Sequence, residues 1–326
     1  MNLLQMHIMW YEAEMLNETF DAIMTALKHA KQPTEIRLCI NMQTYLEEPI
    51  EGKPEDMVAK FADHPLMKIA NIVYKTNDDS FYNIADWRRE AYNKDGYTCW
   101  GESDALLPEE YFHVIENLNI KEPHYLSFGS RKMWEPSWAK IEHKELKNLE
   151  YKKNGRSAPE PLNWDDYIKL DQLHEFNRKQ KKIEIIKLKA PKIDGSLLVL
   201  SEGLPPFIPE NMHFVEEDTC SQHSFEKNGI KQYLVGNILK GHNYNHPLKR
   251  TNTKASRDDT LYIKYRDEAR ASAKVFIDEK FQKRRKRTWG YLDVHLQRKR
   301  NDLLRLFGLP VVDFKQGEVV QIIDRP

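Results

Sequence analysis

The sequence predicts an α/β fold: a mostly parallel sheet with helices on both faces. Two observations predict it. Short apolar runs alternate with segments of helical spacing through the first hundred residues, and the connections between them are short. The composition supports this, because 40% hydrophobic residues in 326 can form a sizeable core in one large domain or two small ones.

Residues 3–10 (LLQMHIMW) form the first apolar run, and residues 14–31 then take up helical spacing. There Met15, Ile23 and Leu27 share a face, flanked by Phe20 and Met24. Pro33 marks the turn into a second strand at 35–42 (EIRLCINM). A helix at 55–63, a strand at 68–75 and a helix at 80–93 follow, then the Asp95-Gly96 turn and the apolar strand YTCW. In such sheets ligands bind beyond the carboxyl ends of the strands, so the loops at 11–14, 41–48 and 101–104 are expected to converge on one crevice. Residues 139–189 are rich in Lys, Glu and Asn, and 173–189 reads either as a basic helix or as a helix running into a strand. A buried strand is expected within 194–209, and a strand with a His-bearing loop within 229–247. From about 257 the pattern is helical and heavily charged as far as Gly308-Leu309-Pro310.

Composition restricts the function classes. Lys+Arg and Asp+Glu number 50 each, so the net charge is zero and any nucleic-acid or membrane contact must rest on a local patch. No apolar run is long enough to span a bilayer, and Glu12 and Glu14 sit where a signal peptide stays apolar. Cys39, Cys99 and Cys220 are odd in number and lack CxxC spacing, which implies reduced, mostly buried thiols in a cytoplasmic protein.

Glu102-Ser103-Asp104 follows the YTCW strand, and two carboxylates one residue apart at a strand end can face the same crevice. Such oxygen donors suit Mg²⁺ or Mn²⁺ bridging to a diphosphate. The competing reading is an acidic turn capping the next helix. Glu216-Glu217-Asp218 likewise reads alone as an acidic helix N-terminus favoured by the dipole. His242 and His246 read equally well as surface or core histidines or as ligands. Of the seven tryptophans, Trp134 and Trp138 lie in a polar stretch and are candidates for stacking on a sugar or base.

Taken together, NIADWRREAYNKDGYTCWGESDALLPEEYF resembles the family-2 glycosyltransferases of GT-A fold, a Rossmann-like nucleotide-sugar-binding sheet flanked by helices. The resemblance runs in order through Ala85–Arg89, Gly96-Tyr97, Thr98–Trp100, Glu102–Asp104, Pro108 and Tyr111-Phe112, and covers about residues 3–250. It implies a nucleotide-sugar donor, a UDP-sugar, contacted by Tyr11, Glu12, Asn41, Gln43, Arg88, Arg89, Glu102 and Ser103. It implies Mn²⁺ or Mg²⁺ on Asp104, Glu102 and His242, and a catalytic base at Asp218 or Glu217 acting in a single inverting displacement. The chain departs from the family at the end of the second strand, where Asn41-Met42-Gln43 replaces an acidic pair, and at Glu102, where Asp is usual.

Residues 279–306 carry ten Lys/Arg against three Asp/Glu, a local net charge of +7. Lys283, Arg284, Arg285, Lys286, Arg287, Trp289, Arg298, Lys299 and Arg300 suit phosphate neutralisation with aromatic stacking. A membrane-surface helix and a solvated charged face are the competing readings. The wealth of Lys, Asn, Glu and Tyr resembles phage proteins, and hydroxymethylcytosine in double-stranded phage DNA is the leading acceptor. A cell-envelope polysaccharide or lipid-linked sugar is the alternative acceptor, and a noncatalytic nucleic-acid-binding protein the alternative class. Three regions are expected: a nucleotide-sugar-binding half (1–120), an acceptor-side half (121–250, with a charged insertion at 135–190), and a helical basic extension (251–326).

Overall fold

The computed structural model describes residues 1–42, 50–75, 84–132, 170–189, 191, 194–208, 217–243, 296 and 317–326. Its strands are β1 (Asn2–Met9), β2 (Thr34–Asn41), β3 (Asn71–Lys75), β4 (Thr98–Glu102), β5 (Ala105–Leu106), β6 (His124–Lys132), β7 (Lys182–Leu188), β8 (Leu197–Leu200), β9 (Lys231–His242) and β10 (Gly317–Asp324). The helices are α1 (Leu16–Leu27), α2 (Pro54–Ala59), α3 (Ile84–Glu90), α4 (Tyr111–Glu116), α5 (Leu170–Arg178) and α6 (Glu217–Lys227), with single 3₁₀ turns at Trp10–Met15 and Pro65–Lys68.

All ten strands join one sheet in the order β10-β7-β9-β6-β8-β4-β1-β2-β3, with β5 paired to the end of β9. Strand β1 is buried along its whole length, as a central strand covered on both faces must be. Side-chain alternation divides the core between those faces. Met6, Ile8, Cys99, Leu197 and Val199 pack with Phe20 and Ile23 of α1 on one face. Leu3, Trp100, Leu198 and Leu200 pack with Ala85 of α3 and Cys220 and Phe225 of α6 on the other.

The alternation of strand and helix expected over residues 1–100 is present, with shorter elements. The stretch 173–189 resolves as a helix running into a strand, α5 then β7. The expectation of a mostly parallel sheet needs correction. Strands β4, β1, β2 and β3 pair in parallel, as do β6 and β9, but β8 runs antiparallel to β4 and β6, and β7 and β10 form an antiparallel edge. Strand β6, which the sequence did not signal, supplies the bridge between β8 and β9. The helical reading of 251–326 is corrected at its end, where residues 317–324 add an edge strand to the sheet. Arg325 holds that strand in place through Glu109, Glu110 and the carbonyls of Asn177 and Gln180. The basic residues 283–287 and 298–300, Trp289, most of the charged insertion, and Gln43, Trp134, Trp138, Glu216 and His246 lie outside the described residues.

The topology fixes where a site can form. Because β8 is reversed, its first residues lie at the rim where β1, β2, β4, β6 and β9 end. Met9, Asn41, Glu102 and His242 therefore share that rim with the segment 194–196. The three cysteines are buried and unlinked; burial raises the thiols of Cys39 and Cys99 to about 12 and that of Cys220 to about 11, which makes them inert. No helix among the described residues is long and apolar enough to cross a membrane.

Candidate active site

Asp104 follows β4, and β5 turns it towards the end of β9, where Ala105 pairs with His242. That pairing brings Asp104 Oδ2 to 2.6 Å from His242 Nε2, while the Asn243 amide donates to the Asp104 carbonyl at 2.7 Å. Asp104 is 2% exposed, whereas the His242 side chain is 28% exposed and opens towards solvent. Burial lowers the His242 pKa, but the charge of Asp104 and its hydrogen bond outweigh that effect and raise it. The pair thus combines a buried carboxylate with an imidazole that readily holds a proton.

Glu102 pairs with an arginine. Its Oε1 accepts from Arg88 at 3.0 Å, and its charge also contributes to raising the His242 pKa. Arg88 is fully buried and stacks over the Trp100 ring at 5.3 Å. It also donates to Glu217 Oε1 at 2.7 Å and to the Gly195 carbonyl at 2.8 Å. An arginine suits this position because its planar fork satisfies several acceptors at once. Arg89, one residue on, pairs with Asp86 within α3, both partly buried.

Glu217 and Asp218 open helix α6, where the dipole favours negative charge. Glu217 is buried. Its carboxyl is raised to about 7, mainly by burial and further by the charges of Asp218 and Glu102, with Arg88 pulling it down. Asp218 is half-buried, and its Oδ1 accepts from the Thr219 amide at 2.7 Å. Of the two carboxylates, Asp218 is therefore the more exposed.

The residues assigned to the nucleotide sit deeper than expected. Glu12 is fully buried and accepts from the Met9 amide at 3.0 Å and from Ser103 Oγ at 2.5 Å. Glu12 and Ser103 thus tie the end of β1 to the turn after β4, and the Thr19 hydroxyl locks that turn by donating to the Ser103 carbonyl at 2.6 Å. Tyr11 is buried edge-on against Trp10, and Asn41 is buried at the end of β2. Glu12 and Ser103 accordingly serve first as a brace for the loops that frame the crevice.

Two site residues escaped the sequence reading. Lys240 is fully buried two residues before His242, and its ammonium reaches both oxygens of Asp194 at 2.6 and 2.7 Å. The sequence signals were present but weak: a Lys inside an apolar strand pattern, and Asp-Gly-Ser opening a buried strand.

Among the described residues no group of three or more His, Cys, Asp or Glu side chains is arranged to hold a metal ion. Asp104 and His242 still fit a shared site. Mg²⁺ and its relatives are commonly held by one or two protein ligands, with substrate phosphates and water completing the shell. A protein-only cage including Glu102 does not fit the arrangement.

No protein-family model matches the sequence, and no curated protein matches it. Among solved structures, residues 1–349 of S. aureus TarS in complex with UDP are similar to 77% of this chain at 11% identity, with a TM-score of 0.41. The chain spans 63% of that structure's length. The same TarS fragment in complex with UDP-GlcNAc matches 85% of this chain and 74% of its own at 10% identity, with a TM-score of 0.41. A putative nucleotide-diphospho-sugar transferase from Desulfovibrio desulfuricans matches 85% of this chain and 99% of its own at 10% identity, with a TM-score of 0.35. At these TM-scores the likenesses carry no argument about the chemistry of the site.

Proposed function

We propose that the chain is a glycosyltransferase that moves a sugar from a nucleotide-sugar, a UDP-sugar, to an acceptor hydroxyl with inversion at the anomeric carbon. One observation carries this reading. The Asp104–His242 pair and the Glu217-Asp218 pair, remote in sequence, come to the same strand-end rim and are linked through residues 194–196. The order of motifs along the chain supports the same conclusion.

In this reading the acceptor oxygen bonds to the anomeric carbon as the bond from that carbon to the diphosphate oxygen breaks on the opposite face. The acceptor proton passes to Asp218, and the nucleoside diphosphate leaves with the bonding pair. Asp218 is the base because Glu217 is buried against Arg88, while Asp218 is half-exposed. Arg88 keeps Glu217 and Glu102 fixed relative to each other. Asp104 and His242 would hold Mn²⁺ or Mg²⁺, and the ion would supply positive charge to the departing group.

For the acceptor we retain hydroxymethylcytosine in phage DNA, met in the host cytoplasm, on the strength of the basic stretch at 283–300. The test is UDP release from a panel of UDP-sugars with Mn²⁺, with and without hydroxymethylated DNA. Asp218→Asn is expected to lower turnover by about 10²–10⁴-fold, the usual range for a general base. Asp104→Ala is expected to abolish the Mn²⁺ dependence. Release that ignores DNA keeps the enzyme and moves the acceptor to an envelope polysaccharide or lipid-linked sugar. No release, with nucleic acid still bound, favours a noncatalytic binding protein.

A further inference from the structure

The segment Asp194-Gly195-Ser196 touches both halves of the site at once. On one side, Lys240 donates to both Asp194 oxygens and to Ser196 Oγ at 2.8 Å, from a position two residues before His242 on the same face of β9. On the other side, Gln222 of α6 grips the backbone of Asp194, its Oε1 accepting from the Asp194 amide at 3.1 Å and its Nε2 donating to the Asp194 carbonyl at 2.9 Å. Gly195 brings the segment against the base, since a Cβ there would lie 2.4 Å from Asp218 Oδ2. The chain of contacts therefore runs from His242 along β9 to Lys240, across to Asp194, and on to the first turn of α6 that carries Asp218.

Stability alone does not account for this arrangement. With Lys240 fully buried and Asp194 largely so, the ion pair loses so much hydration that apolar side chains of similar size commonly serve as well. What the charged pair adds is selectivity of partner: the buried ammonium needs acceptors, here Asp194, Ser196 Oγ and the Leu197 carbonyl, whereas many arrangements satisfy an apolar contact.

We propose that Lys240 and Asp194 are positioning residues, whose buried ion pair ties β9 to α6 and so sets the separation between Asp104–His242 and Asp218. The inference rests on the glycosyltransferase reading for what those halves do, while the tie itself stands apart from it.

The test is amide hydrogen exchange on the unliganded protein, paired with donor kinetics. The reporters are the Asn243 amide, bonded to the Asp104 carbonyl, and the Thr219 amide, bonded to Asp218. In Lys240→Met both are expected to exchange about tenfold faster or more, with amides of β2 unchanged as a control. The neutral pair Asp194→Asn/Lys240→Gln leaves no uncompensated charge and takes the place of the single variant if that fails to fold. It is expected to speed both reporters and to lower kcat about 10–100-fold with donor KM nearly constant, the scale of losing an outer supporting contact. Faster exchange at Asn243 alone, or coupled exchange with unchanged kcat, overturns the proposal. A wild-type protein without turnover defeats the glycosyltransferase reading, and the two amides then still decide whether the tie exists.

Discussion

Replacing Arg88 with Met tests the centre of the site. Arg88 is fully buried and holds Glu217 at 2.7 Å, Glu102 at 3.0 Å and the Gly195 carbonyl at 2.8 Å. Met retains much of the volume and the contact with Trp100 but removes the charge, leaving Glu217 buried without this counter-ion. Breaking one side of a buried ion pair typically costs about 3–5 kcal/mol. With a urea dependence of about 2 kcal/mol per molar, the unfolding midpoint falls by roughly 2 M.

The pH dependence sharpens this prediction. The folded-state pKa of Glu217 is raised from 4.5 to about 7, so its contribution to stability is fully present below about pH 4.5 and is lost as the pH rises through about 7. Arg88 opposes that shift, so its removal raises the pKa further. The cost of Arg88→Met is therefore largest near pH 8.5 and smaller near pH 5.5, where Glu217 is protonated in both proteins. The assay is urea unfolding followed by fluorescence at both pH values, with Arg88→Met/Glu217→Gln as the second arm, which should recover much of the loss. A cost below about 1 kcal/mol, or one equal at the two pH values, refutes the reasoning.

Two further outcomes are expected. Gly195→Ala forces the Asp218 carboxylate to turn away, since the new Cβ lies 2.4 Å from its Oδ2 but 3.2 Å from its Cγ; turnover should fall while thermal unfolding and UDP affinity, measured calorimetrically, change little. His242 has a raised folded-state pKa, so the stability it contributes is complete below the ordinary value of 6.5 and is lost as pH rises through the folded value; His242→Ala should flatten that part of the stability profile, and in the wild type Mn²⁺ should bind more tightly across the same rise, releasing a proton.

Local pattern was enough for part of this protein. Apolar runs of strand length with helical spacing between them identify β1, α1, β2, β3, α3 and β4, because each element must bury one face or both. The acidic turn at 102–104, the acidic start of α6 and His242 were also legible, because their residue types and spacing are set locally. Partnership is decided elsewhere. Glu102 and Asp104 look equivalent in sequence, yet one meets Arg88 and the other His242, because Arg88 comes from α3 and His242 from the end of β9. Glu217 and Asp218 are adjacent, yet one is buried on Arg88 and the other half-open beside Gly195. Strand β8 reverses direction, which no run of four apolar residues can announce, and that reversal delivers Asp194 and Gly195 to the rim. Lys240 reads in sequence as a charge within an apolar strand; only the fold supplies the Asp194 carboxylate that makes its burial tolerable. The sequence by itself determined most elements of the first hundred residues and several of the side chains that can do chemistry, since these follow from neighbours along the chain. The tertiary structure decided which of those side chains meet, since hydration lost on burial is recovered only by partners that the topology brings from far along the chain.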